Sequence, residues 1–148
     1  MKSAIDISKW FVNRGLDNPA DNLNGNIKLQ KLLFFSWLIH YKKFGESLFN
    51  DDFYAFQKGL VIETVRCAYR DNYSSLKLSG ADESIDSESF ESKLYSEFGI
   101  QFTEKEMVTL KLTESLFGDA TADELVKLSH NSPVWSKYYS MCMKSTPM

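Results

Sequence analysis

Asn26–Gly45 reads NIKLQKLLFFSWLIHYKKFG, and its patterning decides the fold class. At 100° per residue, Leu29, Leu33, Trp37, His40 and Phe44 share one broad face of an α-helix. Phe34, Phe35 and Leu38 fall on the opposite side, interleaved with Lys28, Lys31 and Lys42. A helix that is apolar nearly all round belongs in an interior. Asn26 to Phe44 is therefore expected to be the hub of the domain, ended by Gly45. Its densest apolar run, Leu32 to Ile39, is far short of a membrane span.

Working outward, Ile5 to Arg14 reads as a short helix stopped by Gly15, and Leu16 to Gly25 as a loop marked by Asn18-Pro19 and Asn24-Gly25. Asn50-Asp51-Asp52 suits a turn, and Phe53 to Phe56 fits either a short strand or one helical turn. Past Gly59, Leu60 to Arg70 carries Val61, Val65 and Tyr69 at helical spacing. Ser74 to Ser92 is rich in Ser, Asp and Glu, with isolated apolar residues. It is expected to be a mobile loop, with at most a short strand at Leu76-Lys77-Leu78. Thr103 and Glu106 make a capping box opening a helix that runs to Phe117 and stops at Gly118. Thr121 and Glu124 make a second box, starting a helix through Leu125, Leu128 and His130. Ser132-Pro133 opens a third that begins with Trp135, and Lys144 to Met148 are expected to fray. The reading is a mainly α fold, α+β at most: one compact helical bundle over residues 1–148 around a central buried helix, with at most a small β-hairpin.

Composition narrows the function classes. A chain of 148 residues buries roughly 70% of its unfolded surface, enough for a core without disulfide or metal. Eleven Phe, seven Tyr and three Trp are a heavy load for so short a chain; most must be core, but an aromatic surplus is also what interaction surfaces use. The net charge of −3 and pI near 5.4 argue against nucleic-acid binding. Cys67 and Cys142 form no CxxC pair and read as small apolar residues in a reducing compartment. The opening MKSAIDISKW has no apolar signal-peptide region, so a cytoplasmic location is expected.

Residues able to carry chemistry are few. No Gly-rich phosphate loop, GxSxG, HExxH or paired metal-ligand spacing occurs, so no catalytic residue, metal site or cofactor is assigned. His40 lies on the apolar face of the central helix and reads as a core histidine with a hydrogen-bonded ring. His130 reads as a helix C-terminal residue that binds free carbonyls. Asp51-Asp52 reads as a turn and cap before it reads as a general base. The candidate partner contact is an aromatic patch on the central helix, Phe34, Phe35 and Leu38 set among Lys28, Gln30 and Lys31.

Three segments together resemble the Panacea antitoxin domain, the SocA-like group also described as phage-associated protein. IKLQKLLFFSWLIHY (Ile27–Tyr41) resembles the family's KLQKLLYF-type helix. LFNDDFYAFQKGLV (Leu48–Val61) resembles its F-x-A-W-x-x-G-P-V segment. ADELVKLSHNSPVW (Ala122–Trp135) resembles its L-x-x-L-(S/T)-H…P-W ending. Phe56 and Leu60 depart from the usual Trp and Pro. The family's recurring residues fall on Lys28, Leu29, Gln30, Lys31, Leu32, Leu33, Phe53, Gly59, His130, Pro133 and Trp135, most of them expected to be structural. The resemblance implies an antitoxin that neutralises a cognate toxin, encoded by the adjacent gene, through direct protein–protein binding. The alternative it leaves open is a proteolytic adaptor delivering its partner to a protease, or a phage or mobile-element regulatory protein. An enzyme acting through His40 or His130, or a DNA-binding regulator, has less support in the residues.

Overall fold

The computed structural model describes residues 2–17, 26–56, 59–78 and 87–130. Among these, the order is α1 (Ala4–Asn13), α2 (Ile27–Phe44), β1 (Phe53–Phe56), β2 (Gly59–Ile62), α3 (Glu63–Asp71), a 3₁₀ turn (Tyr73–Leu76), α4 (Ser87–Phe98), α5 (Glu104–Phe117) and α6 (Ala122–His130). The fold is mainly helical, with one two-stranded antiparallel sheet.

The hub expected from the patterning is present. Helix α2 packs against α1, α5, α6 and β2. Leu29, Leu32, Leu33, Phe34 and Ser36 are buried, and so is His40 on the face toward α5. Burying a side chain of Leu or Phe size is worth about 1.5–3 kcal/mol, so this one helix supplies much of the driving force for the fold. Its ends are well terminated. Asn26 sits at φ 66° and its side chain accepts the Leu29 N–H. Gly45 closes the other end in the left-handed conformation at φ 70°, donating to the Tyr41 carbonyl.

The capping signals in the sequence are realised in three dimensions. Thr103 and Glu106 form the reciprocal box at the start of α5, and Thr121 and Glu124 exchange the same two bonds before α6. A third box, Ser3 with Asp6, starts α1. It is the same S-x-x-acid pattern with Asp in place of Glu.

Three expectations need correction. Leu60–Ile62 is strand, not helix: it pairs with β1 in the register Phe53↔Ile62, Tyr54↔Val61, Ala55↔Leu60 and Phe56↔Gly59. Leu60-Val61-Ile62 is a compact apolar, largely β-branched run, which favours extended backbone. The helix begins only at Glu63, where an acidic residue suits a helix N-terminus. Second, Leu76-Lys77-Leu78 is no strand: Leu76 ends the 3₁₀ turn, and Leu78 N–H is bound by the Asn13 side chain. Third, Ser87–Ser92 belongs to α4. Phe90 and Leu94, four residues apart, are buried against the core and give that polar stretch its anchoring face. The helix expected after Ser132-Pro133, the bulk of the loop at 18–25 and Cys142 lie outside the described residues.

Candidate partner-binding surface

The aromatic patch expected on α2 is not at the surface. Phe34 is 1% exposed, with its ring edge-on to Phe35 and Phe53. Phe35 stacks on Phe117 of α5, with centroids 4.5 Å apart and planes 21° from parallel. Phe117 of α5 covers Phe35, and Phe53 of β1 lies against Phe34. Leu38 is half-buried against the core.

Gln30 and Lys31 are interior too, at 1% exposure each. Gln30 has a definite structural job. Its side-chain amide donates to the Ile62 carbonyl (3.2 Å) and accepts the Ile62 N–H (2.8 Å). The amide thus imitates a neighbouring strand and ties the hub to the junction of β2 and α3. Lys31 has no hydrogen-bond or ion-pair partner among the described residues, and burial lowers its ammonium from the usual lysine range to about 8. Lys28 reaches the end of α5, donating to the Gly118 carbonyl at 2.8 Å. Of the six residues expected to meet a partner, four are enclosed, and the correction follows from helix packing the sequence alone does not display.

The chemistry candidates are placed as follows. His40 is 2% exposed; Nδ1 lies 2.7 Å from the Thr109 hydroxyl and Nε2 lies 3.4 Å from a Glu46 carboxylate oxygen. The ring bridges α2 to α5, as a core histidine does. Asp51 accepts the Ala4 N–H (2.9 Å) and the Thr64 hydroxyl (3.1 Å), fastening the start of α1 and the first turn of α3. His130 is the last residue of α6; its side chain, Pro133 and Trp135 lie outside the described residues. Leu29, Leu32, Leu33 and Phe53 are core, and Gly59 begins β2 opposite Phe56.

A second buried polar cluster was not foreseen. Tyr69 donates to Asp17 at 2.5 Å, Tyr73 donates to the same carboxylate oxygen at 3.4 Å, and Asn26 donates to the Tyr69 oxygen at 3.1 Å. Burial, then the hydrogen bond to Asp17, push the Tyr69 phenol far above its ordinary range, so it stays a donor at any physiological pH. The cluster joins the end of α1, the N-terminus of α2 and α3 around one carboxylate.

Most of the large apolar side chains that remain at the surface are on the outer helices. Val108 and Leu116 of α5, Leu128 of α6, Tyr95 of α4 and Tyr41 of α2 are exposed. Beside α5 lies a cleft of about 550 Å³ with walls from α1, α4 and α5. In it the Arg14 guanidinium stands 5.6 Å from both the Trp10 and Phe90 ring centroids, held by Glu114 through two bonds of 3.0 and 2.9 Å. The Trp10 indole N–H is buried with no acceptor among the described residues. No group of His, Cys, Asp and Glu able to hold a metal occurs among the described residues, and no helix there is long and apolar enough to cross a membrane.

A helical hub wrapped by smaller helices, with its polar side chains spent on internal joints and its apolar surplus on outer faces, defines a small α-helical scaffold domain. Residues 29–136, well over half the chain, match the family described as Antitoxin SocA-like, Panacea domain, and the chain belongs to that family. Comparison with curated proteins and with solved structures gave no match. The family membership carries with it an antitoxin-like role and a protein partner of the toxin class.

Proposed function

We propose that this protein is the antitoxin of a toxin–antitoxin pair and that it neutralises its toxin by direct, stoichiometric protein–protein binding. The toxin is the product of the adjacent gene, and the complex forms in the cytoplasm without cofactor, metal or nucleic acid. The observation that carries this reading is the family match across 29–136, which takes in nearly all of the hub, the hairpin and helices α3 to α6. The side chains support it. His40 is engaged between Thr109 and Glu46. Gln30 and Asp51 serve as joints between elements. Binding without chemistry asks only for a stable surface, and a packed hub supplies one.

Growth rescue tests it. The neighbouring gene expressed alone should arrest growth; co-expression with this chain should restore it, and the two products should co-purify. A harmless neighbour, or rescue without a complex, would refute the reading. Partner abundance followed after protein synthesis is blocked then separates occlusion from delivery to a protease. Stable levels are expected.

A further inference from the structure

Helix α5 carries a feature that neither the core nor the caps use. Val108, Leu112 and Leu116 recur every four residues, which lays them along one ridge of the helix. The buried residues Glu106, Leu110 and Thr113 are turned away from it, and buried Thr109 borders it on the core side. Val108 and Leu116 are 39% and 59% exposed, and Leu112 is half-buried. Lys105 and Asp119, both exposed, flank the ridge at its two ends.

The cleft adjoins this ridge, since Lys111, Ser115 and Asp119 of α5 also line it. Its floor already receives a cation: the Arg14 guanidinium lies equidistant from the Trp10 and Phe90 rings. Arg14 and Glu114 neutralise each other. What is left on the lining is Glu91 and Asp119 against Lys111, an excess of negative charge. An apolar ridge beside an aromatic, residually acidic cleft matches an amphipathic segment of opposite pattern.

We propose that this face of α5, together with the cleft between α1, α4 and α5, is where the toxin docks, and that the toxin's contact is an amphipathic helix. Its apolar side chains lie across Val108, Leu112 and Leu116, and a lysine or arginine enters the cleft near Glu91 and Asp119. A helix suits the ridge because rows spaced by four residues interdigitate with rows of the same kind. This rests on the antitoxin reading above and adds to it a surface and a recognition chemistry.

The test uses the full chain and the purified product of the adjacent gene. A Val108→Glu/Leu116→Glu double variant places two carboxylates on the ridge at exposed positions, so folding should persist, as far-UV circular dichroism would verify. It is expected to weaken binding by about 30-fold or more and to abolish growth rescue. A Glu91→Lys/Asp119→Lys variant should weaken binding by about threefold to tenfold and reduce its salt dependence. Leu128→Glu, the same chemistry on α6, should bind as the unmodified chain does. Unchanged binding by the folded ridge variant would overturn the inference and leave the antitoxin reading standing. A ridge variant that only loses self-association in light scattering, with rescue intact, would overturn it too, making the face a contact between copies. Failure of the unmodified chain to bind removes both.

Discussion

Gln30 is the position where the structure gives the sharpest quantitative expectation. Its buried amide makes two bonds to one backbone residue, Ile62, at 2.8 and 3.2 Å. Gln30→Met keeps the length and volume of the side chain but removes both polar atoms. The Ile62 N–H then loses its acceptor in an interior water cannot reach, which costs about 1–3 kcal/mol; the carbonyl adds up to about 1 kcal/mol more. Methionine is flexible and recovers packing, so no cavity term is added. The sum is about 1–4 kcal/mol. With a urea m value of about 2 kcal/mol/M, the unfolding midpoint should fall by about 0.5–2 M. Gln30→Glu is the informative companion: it retains an acceptor for the Ile62 N–H, loses the donor to the carbonyl, and buries a charge at neutral pH. Its deficit should shrink as pH falls and the carboxyl protonates into a donor. Midpoints followed by circular dichroism at 222 nm settle the matter. A Gln30→Met midpoint within about 0.3 M of the unmodified protein would show that the hub and hairpin are held together by packing alone.

Three further outcomes follow from the same geometry. Lys31 has a folded-state pKa near 8 against about 10.4 unfolded. The unfolded chain therefore binds more protons, and stability should rise between about pH 8 and 10.5 by roughly 3 kcal/mol. Lys31→Met should raise the urea midpoint at pH 7 and flatten that rise; an unchanged slope would exclude Lys31 as its source. Asn26→Ala loses the cap on Leu29 N–H and forces a Cβ-bearing, non-Asn residue to φ 66°, at a cost of about 2 kcal/mol or more, while Asn26→Gly should recover part of it. Equal thermal midpoints for the two variants would refute the role given to the backbone conformation. His40→Gln should lower stability by about 1–2 kcal/mol through the lost Thr109 contact, yet leave growth rescue intact wherever the variant is folded; folded protein without rescue would restore a functional role to the ring.

The parts of the fold legible in the sequence are those where one physical signal acts alone. The hub was plain because apolar residues surround α2, and the starts of α5 and α6 were plain because each carries a reciprocal cap. Two signals competed at Leu60–Ile62. Val61, Val65 and Tyr69 have helical spacing, but pairing with β1 decides the backbone, and pairing is a tertiary fact. Likewise α4 is hidden in a polar stretch, where only Phe90 and Leu94 announce a buried face. The burial of the aromatic patch is illegible for a related reason. An aromatic pair such as Phe34-Phe35 looks available until Phe117 is seen stacked upon it. The α5 ridge, by contrast, can be read as Val108, Leu112 and Leu116 at intervals of four, but the sequence cannot say which stripe of an amphipathic helix is the covered one.

Because α2 is hemmed in by α1, α5, α6 and β2, its residues answer to several neighbours at once, and a change there disturbs the whole body. Those on the outward side of α5 answer to few. Selection can therefore revise the outer face while the inner one stands still. A lineage confronted with a new adversary has spare positions to experiment with, and no need to rebuild what keeps it upright.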